Sequence, residues 1–254
     1  MRRTVMAVVL GLVSCVWEAP VEGALVMSSS GTFRFEWVAL RDSGGNSLTA
    51  LPAGMTATSD AMSFGWADAF ASLGTASGSL EYYRNGVLVS PGYLPQSPFL
   101  PGDRFESVLQ ADATLAGCGY VDVLNTTWST LYIHNTTTET YTAQFSIDST
   151  YSNSAQGAFP GLSWNSASNY LGVTVNYDYQ NSSDDFDDWV AADGSSSGSR
   201  HADLVLTLEP GWTVVDLIRR NGTYAEAVPE PSTGVLCLIG LGAVCAWRRR
   251  ASRS

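Results

Sequence analysis

The feature that most limits what this chain can fold into is a hydrophobic period of two that returns along most of its length. Phe33, Phe35 and Trp37 alternate with Arg34 and Glu36, and Tyr141, Ala143, Phe145 and Ile147 alternate with Thr142, Gln144 and Ser146. In the longest case Leu171, Val173, Val175, Tyr177 and Tyr179 share one face against Gly172, Thr174, Asn176, Asp178 and Gln180. Alternation of this kind is the pattern of half-buried strands. Asn85-Gly86, between Leu80–Tyr83 and Val87–Val89, is a strong type I′ hairpin signal, and Asn221-Gly222 is a weaker one. Glu209-Pro210-Gly211 predicts a turn between Leu204–Leu208 and Val214–Ile218. Asp60–Leu73 is the one stretch with helical character. Ser152–Ser168 and Asp193–Ser199 read as loops, and Ala225–Val228 as a short tether. No internal repeat is visible. Many short strands with one apolar face each predict a mainly β fold, an antiparallel two-sheet β-sandwich of jelly-roll or other Greek-key type.

Both ends differ from this middle. Met1-Arg2-Arg3 followed by the apolar Val5–Trp17 and the polar Glu18–Gly23 has the layout of a secretory signal peptide over 1–23, with cleavage between Gly23 and Ala24. A competing reading takes Leu12-Val13-Ser14-Cys15 as resembling a lipobox, with Cys15 as a lipidated N-terminus. At the other end, 228–254, the polar stretch Val228, Pro229, Glu230, Pro231, Ser232 and Thr233 precedes an apolar run over 234–247. Arg248, Arg249 and Arg250 follow as a basic stop within the tail 248–254. As a helix that run would rise about 21 Å against a hydrocarbon core of about 30 Å, so its length alone favours a core helix. Proline-rich spacer, apolar segment and arginines in that order argue instead for a C-terminal transmembrane helix serving as a removable or transient anchor. Arginines on the outer side of both apolar segments keep the two ends cytoplasmic and export 24–227.

Pro229-Glu230-Pro231 before an apolar helix and an Arg-rich tail resembles the PEP-CTERM sorting signal of Gram-negative bacteria, over about 228–250. The resemblance implies passage through the inner membrane, an exosortase-type processing enzyme as partner, and a setting in which extracellular polysaccharide is made. It leaves the exported part unexplained.

That part, 24–227, holds seven Arg, no Lys and 21 Asp plus Glu, a formal charge of −14. A surface this acidic repels phosphate, so nucleic acid is not an expected partner. Of four cysteines only Cys118 lies within it, which rules out an internal disulfide; Cys118 is read as a small apolar residue of the core, with an intermolecular bridge as the alternative.

Chemical motifs are sparse. Gly194-Ser195-Ser196-Ser197-Gly198 matches Gly-x-Ser-x-Gly, but a nucleophile elbow needs a strand before it and a helix after it; the tract reads as a flexible serine loop. His134, beside the turn Asn135–Thr138, and His201, beside Arg200 in a loop, are read as solvated, with no Cys or His at ligand spacing. Asp184, Asp185, Asp187 and Asp188, with Asp178 and Asp193 nearby, are candidate calcium ligands because clustered carboxylates supply hard oxygen donors; the plainer reading is a solvated acidic loop. The Asn-x-Ser/Thr sites at Asn125, Asn135, Asn181 and Asn221 are read as turn and strand chemistry. Six Trp and eleven Tyr in the exported part could stack on sugar rings, although such residues also favour strands and cores. If regular, the strand at Tyr82-Tyr83 points one ring outward.

The sequence therefore predicts an exported, envelope- or surface-associated protein without catalytic residues or cofactor. A carbohydrate-binding module and, further off, a secreted hydrolase with an unrecognised site are the alternatives. A planar exposed row of Trp and Tyr would favour the first, and a deep cleft with two carboxylates about 5–10 Å apart the second.

Overall fold

The computed structural model describes residues 23–71, 74–89, 92–117, 119–157, 162–176, 186–190 and 194–227. Both ends of the chain lie outside them, and with them the apolar segments 5–17 and 234–247, the motif 228–233 and the arginines 248–250. Asp184, Asp185 and Cys118 also lie outside. Among the described residues no helix is long and apolar enough to cross a membrane.

Thirteen strands form within the described residues. They are β1 (Leu25–Arg41), β2 (Ser47–Leu48), β3 (Met55–Ala71), β4 (Gly74–Arg84), β5 (Val87–Val89), β6 (Gly92–Pro98) and β7 (Arg104–Leu115), then β8 (Gly119–Asn135), β9 (Tyr141–Gln156), β10 (Leu162–Val175), β11 (Phe186–Val190), β12 (Gly194–Leu208) and β13 (Gly211–Ala227). A seven-stranded sheet has the order β12-β9-β1-β7-β4-β5, with β2 paired to the end of β1; a six-stranded sheet has the order β11-β10-β13-β8-β3-β6. Every pairing is antiparallel. The two sheets pack face to face in a sandwich-like arrangement, and residues of both fill the space between them.

The period-two segments behave as their sequence requires. Phe33, Phe35 and Trp37 of β1, Ala143, Phe145 and Ile147 of β9, and Leu171 and Val173 of β10 all point into the core. Asn85 and Gly86 take φ of 51° and 76°, the two left-handed residues of a type I′ turn, and join β4 to β5. Glu209-Pro210 separates the end of β12 in one sheet from the start of β13 at Gly211 in the other, so this turn crosses the sandwich rather than closing a hairpin.

Four expectations are corrected. Asp60–Leu73 is no helix: most of it lies in β3, paired to β8 along its whole length. Ser152–Ser168 and Asp193–Ser199 are largely strand, belonging to β9, β10 and β12. Asn221-Gly222 is no turn but the middle of β13, held between β10 and β8. Ala225–Ala227 is no tether either, since Ala225 and Ala227 are buried strand residues.

The reason for most of these corrections is visible inside the sandwich. The inward face of each long strand runs apolar, then polar, then apolar. One end is filled by Phe35, Trp37, Phe99, Phe105 and Phe145 with their aliphatic neighbours, with Phe35 and Phe145 stacked at 5.0 Å. The other is a smaller cluster of Leu25, Met27, Leu115, Val121, Val123 and several alanines. Between them Ser29, Asn125, Ser149, Asn153, Asn169, Arg219 and Asn221 form a buried polar belt. Asn169 donates from Nδ2 to Asn153 Oδ1 at 2.7 Å and to Ser29 Oγ at 2.9 Å. Asn125 donates to Asn221 Oδ1 at 3.0 Å, and Asn221 donates to Ser29 O at 2.9 Å. The guanidinium of Arg219 donates to Ser149 Oγ at 2.6 Å, Asn169 Oδ1 at 3.0 Å, Thr150 O at 3.1 Å and Thr32 O at 3.3 Å. No described carboxylate pairs with it, and burial draws its pKa down to about 10, so it remains charged at neutral pH. Serines and asparagines that look like loop residues in isolation are strand residues here because their partners lie across the sandwich.

Candidate functional site

The outer face of the six-stranded sheet collects the exposed aromatic residues. On β3 the side chains at even positions point outward, placing Met62, Phe64, Trp66, Asp68 and Phe70 in one line, while Ala57, Ser59, Ala61 and Ser63 are buried behind them. In register on β8 stand Trp128, Leu124, Asp122 and Tyr120; on the far edge strand, β6, Tyr93 stands beside Met62. Across β13 and β10 the same face carries Trp212, Tyr224, Tyr170 and Trp164. Phe70, Trp66 and Trp164 are 74%, 48% and 58% exposed, well beyond what isolated surface residues need explain.

The rings are held in place by carboxylates. Trp66 Nε1 donates to Asp122 Oδ2 at 3.4 Å, Tyr120 OH to Asp68 Oδ2 at 3.0 Å, Trp128 Nε1 to Asp216 Oδ1 at 3.3 Å and Tyr224 OH to Glu226 Oε2 at 3.0 Å. The polar edges of these four rings are thus fixed by neighbouring carboxylates of the same sheet. Phe64 stacks with Trp66 at 6.3 Å, Phe70 with Tyr120 at 6.0 Å and His134 with Trp212 at 4.1 Å. His134 is accordingly part of an aromatic pair and only partly exposed, not a solvated turn residue.

The electrostatics of this face are unfavourable as they stand. Asp68 and Asp122 sit directly opposite one another across β3 and β8, a like-charge pair that weakens strand pairing. Asp60 and Asp216 flank Thr130 from the two sides of β8, and Thr130 Oγ1 donates to Asp216 Oδ1 at 2.7 Å. Burial raises the pKa of Asp60, and the nearby charge of Asp216 raises it further. On the outward positions of β3, β8, β13 and β10 five carboxylates, Asp60, Asp68, Asp122, Asp216 and Glu226, face a single arginine, Arg220.

A raised carboxyl pKa means that the folded state holds the proton more tightly than the unfolded chain. The destabilising charge on Asp60 is absent below its unfolded pKa and fully developed once pH exceeds its folded pKa. Asp60→Asn should therefore stabilise the protein at pH 7 by about 0.5 kcal/mol, the scale of surface charge interactions, and by nothing at pH 3. Urea denaturation at the two pH values checks this; equal effects at both would assign the change to packing.

The other candidates fall elsewhere. A groove of about 820 Å³ on the outer face of the seven-stranded sheet is lined by Thr32, Arg34, Glu106, Asp148, Arg200 and His201, among others. His201 lies in β12 rather than in a loop, with Nδ1 2.7 Å from Asp148 Oδ1 and Nε2 3.8 Å from Asp203 Oδ1. The hydrogen bond to Asp148 raises its pKa, and a carboxylate near each ring nitrogen favours imidazolium, which cannot accept a proton. Gly194–Gly198 is strand paired with β9, not a flexible loop and not a strand-to-helix elbow. Of the candidate calcium ligands, Asp187 and Asp188 occupy consecutive positions of β11, paired with Tyr170 and Asn169, so this half of the group is on a strand rather than a loop. Tyr82 is buried and Tyr83 faces outward, as the alternation required. Asn125, Asn135 and Asn221 are buried and hydrogen-bonded, Asn135 accepting from the backbone and side chain of Thr137 in the turn it initiates.

No curated protein matches the chain. Among solved structures, the secreted serine protease VesC from Vibrio cholerae aligns at 9% identity and a TM-score of 0.11 over 71% of this chain, which spans about half (48%) of that protein's length. A superposition that poor carries no structural likeness. The family model of the PEP-CTERM protein-sorting motif matches residues 227–250, starting at the final residue of β13. The chain therefore carries a PEP-CTERM protein-sorting motif, the signal of an exported protein handled by an exosortase system.

Proposed function

We propose that this protein is a non-enzymatic component of the bacterial envelope or surface, delivered by a secretory signal and the C-terminal motif, whose sheet domain binds extracellular polysaccharide. The observation that supports glycan binding is the contiguous outer face of the six-stranded sheet, where Phe64, Trp66, Phe70 and Trp128 stand exposed on adjacent strands beside the half-buried Tyr120. Sugar rings present flat apolar C–H faces ringed by hydroxyls, and such a surface meets them with ring faces beside carboxylate acceptors. Strands spaced about 4.8 Å apart, with outward positions about 6.8 Å apart along each strand, repeat on the scale of a sugar residue. Rigid aromatic anchors contribute contact area at low entropic cost.

Isothermal titration of the full chain against a panel of soluble polysaccharides tests this reading. Binding should fall about tenfold or more in Trp66→Ala and in Trp128→Ala, with the fold retained because both side chains point away from the core. Affinity unchanged in both variants would remove this face from the function. Release of new reducing ends from the panel would instead support the secreted-hydrolase reading.

A further inference from the structure

Asn125, at one end of the buried polar belt, holds an acceptor that the protein itself does not use. Its Nδ2 donates to Gln110 O at 2.7 Å and to Asn221 Oδ1 at 3.0 Å, and because a backbone carbonyl can only accept, the orientation of the amide is fixed. Among the described residues nothing donates to Asn125 Oδ1, although the residue is only 2% exposed. An acceptor this deep is costly to leave unmet.

The oxygen faces a notch of about 250 Å³ between the two sheets, lined by Gly65, Trp66, Ala67, Gly78, Leu80 and Asn125. Two glycines make the room for it: a Cβ on Gly65 would stand 2.4 Å from Oδ1, and one on Gly78 3.0 Å from it. Ala67 and Leu80 give the notch apolar walls. Since the share of one water in the liquid is about 30 Å³, the space exceeds what a single bridging water fills.

The notch also opens at a strand edge. Pairing of β6 with β3 stops at Ser63, and β5 reaches only Tyr82–Arg84 of β4, so among the described residues neither Phe64–Ala71 nor Gly74–Glu81 has a strand on its outer side. Alternate residues there point their backbone N–H and C=O away from the ladder. Trp66 stands on this edge as well as on the aromatic face, so the notch adjoins that face.

We propose that the notch takes the acetamido group of an N-acetylated sugar. This inference rests on the reading of the outer face as a glycan platform and names the class of glycan. A glycan lying across the platform passes the edge at Trp66, where a ring substituent can turn in beside β3. The amide N–H of that substituent would donate to Asn125 Oδ1, its methyl would lie against Ala67 and Leu80, and an outward backbone N–H of the β3 or β4 edge would donate to its carbonyl. A hydroxyl offers the donor but leaves the apolar walls unfilled. A protonated amine would lose its hydration for one neutral acceptor.

The test is isothermal titration of the full chain with three probes of equal length: oligomers of N-acetylglucosamine, of glucose and of glucosamine. The acetylated oligomers should bind about tenfold more tightly than either of the others. Gly78→Ala places a methyl 3.0 Å from Asn125 Oδ1 and from Val123 Cγ1, at a backbone conformation open to alanine. Ala67→Leu narrows the notch from an exposed position, so one variant covers the other should either fail to fold. Each should lose the preference for acetylated oligomers and keep the affinity for glucose oligomers. Trp128→Ala, four residues along β8 from the partner of Trp66, should weaken binding of all three. Equal affinities in the unaltered protein, all reduced by Trp128→Ala, would overturn the notch assignment and leave the glycan platform standing. A preference that survives both notch variants, or glucosamine oligomers binding as tightly as acetylated ones, would also overturn it. Absence of binding to every probe would overturn both readings.

Discussion

Arg219→Ala is expected to destabilise the protein by about 3 kcal/mol, and Gly31→Ala by about 2 kcal/mol, as read from urea denaturation. The first change opens a cavity in the polar belt and strips partners from Ser149 Oγ, Asn169 Oδ1 and the carbonyls of Thr32 and Thr150. The second is coupled to it. Gly31 faces the guanidinium across the sandwich, and a Cβ there would overlap Arg219 Nη2 while lying 2.7 Å from Thr150 O and 2.8 Å from Asn169 Oδ1. With arginine gone, much of that space is free, so the double variant should be more stable than the sum of the two losses by at least about 1 kcal/mol. Strict additivity would show that Gly31 is required for its backbone rather than for the room it leaves. A small effect of Arg219→Ala alone would mean that burying an unpaired cation costs nearly as much as its hydrogen bonds return.

Replacing Pro229, Glu230 and Pro231 with alanine should abolish processing at the C-terminal motif. The unprocessed chain is then expected in the inner-membrane fraction, while export of the sheet domain through the N-terminal signal continues. Proline fixes its own φ and disfavours helix in the residue before it, and that restriction is what an enzyme reading the motif would meet and what alanine removes. Because the substitutions come after Ala227, where β13 ends, they change no residue of the described strands and should leave folding unchanged. Mass spectrometry and fractionation of the exported protein check the result. An unchanged mature mass and location would show that this segment is not what the sorting machinery reads.

Where sequence reading went astray, the face that gives the chain its character was the part missed. The sorting motif was legible because it is linear: residue order alone carries it. The strands β1, β9 and β10 were legible because large apolar residues alternate with polar ones and are buried on one side only. The candidate site was not, and β3 shows why. There the larger residues, Met62, Phe64, Trp66 and Phe70, point outward and the small ones, Ala57, Ala61 and Ser63, point inward, the reverse of the usual contrast. The alanines further along, Ala67 and Ala69, favour helix intrinsically, which is how Asp60–Leu73 came to look helical. A period of two in side-chain size, rather than in polarity, was the signal present.

What the sequence determined by itself is the class of fold and the sorting route: alternation at period two forces strands, Asn-Gly fixes the β4–β5 turn, and 227–250 carries the sorting motif. Tertiary structure alone decided which polar residues are inside and which aromatics are outside. Ser29, Asn153, Asn169, Asn221 and Arg219 are separated by up to 192 residues along the chain, so nothing local reveals that their hydrogen-bonding groups satisfy one another. Likewise Asp68 and Asp122 become one charged site only because β3 and β8 pair in a register that sets them opposite. Burial of a polar group and accumulation of charge are properties of neighbours in space, and strand pairing across the sheet supplies those neighbours.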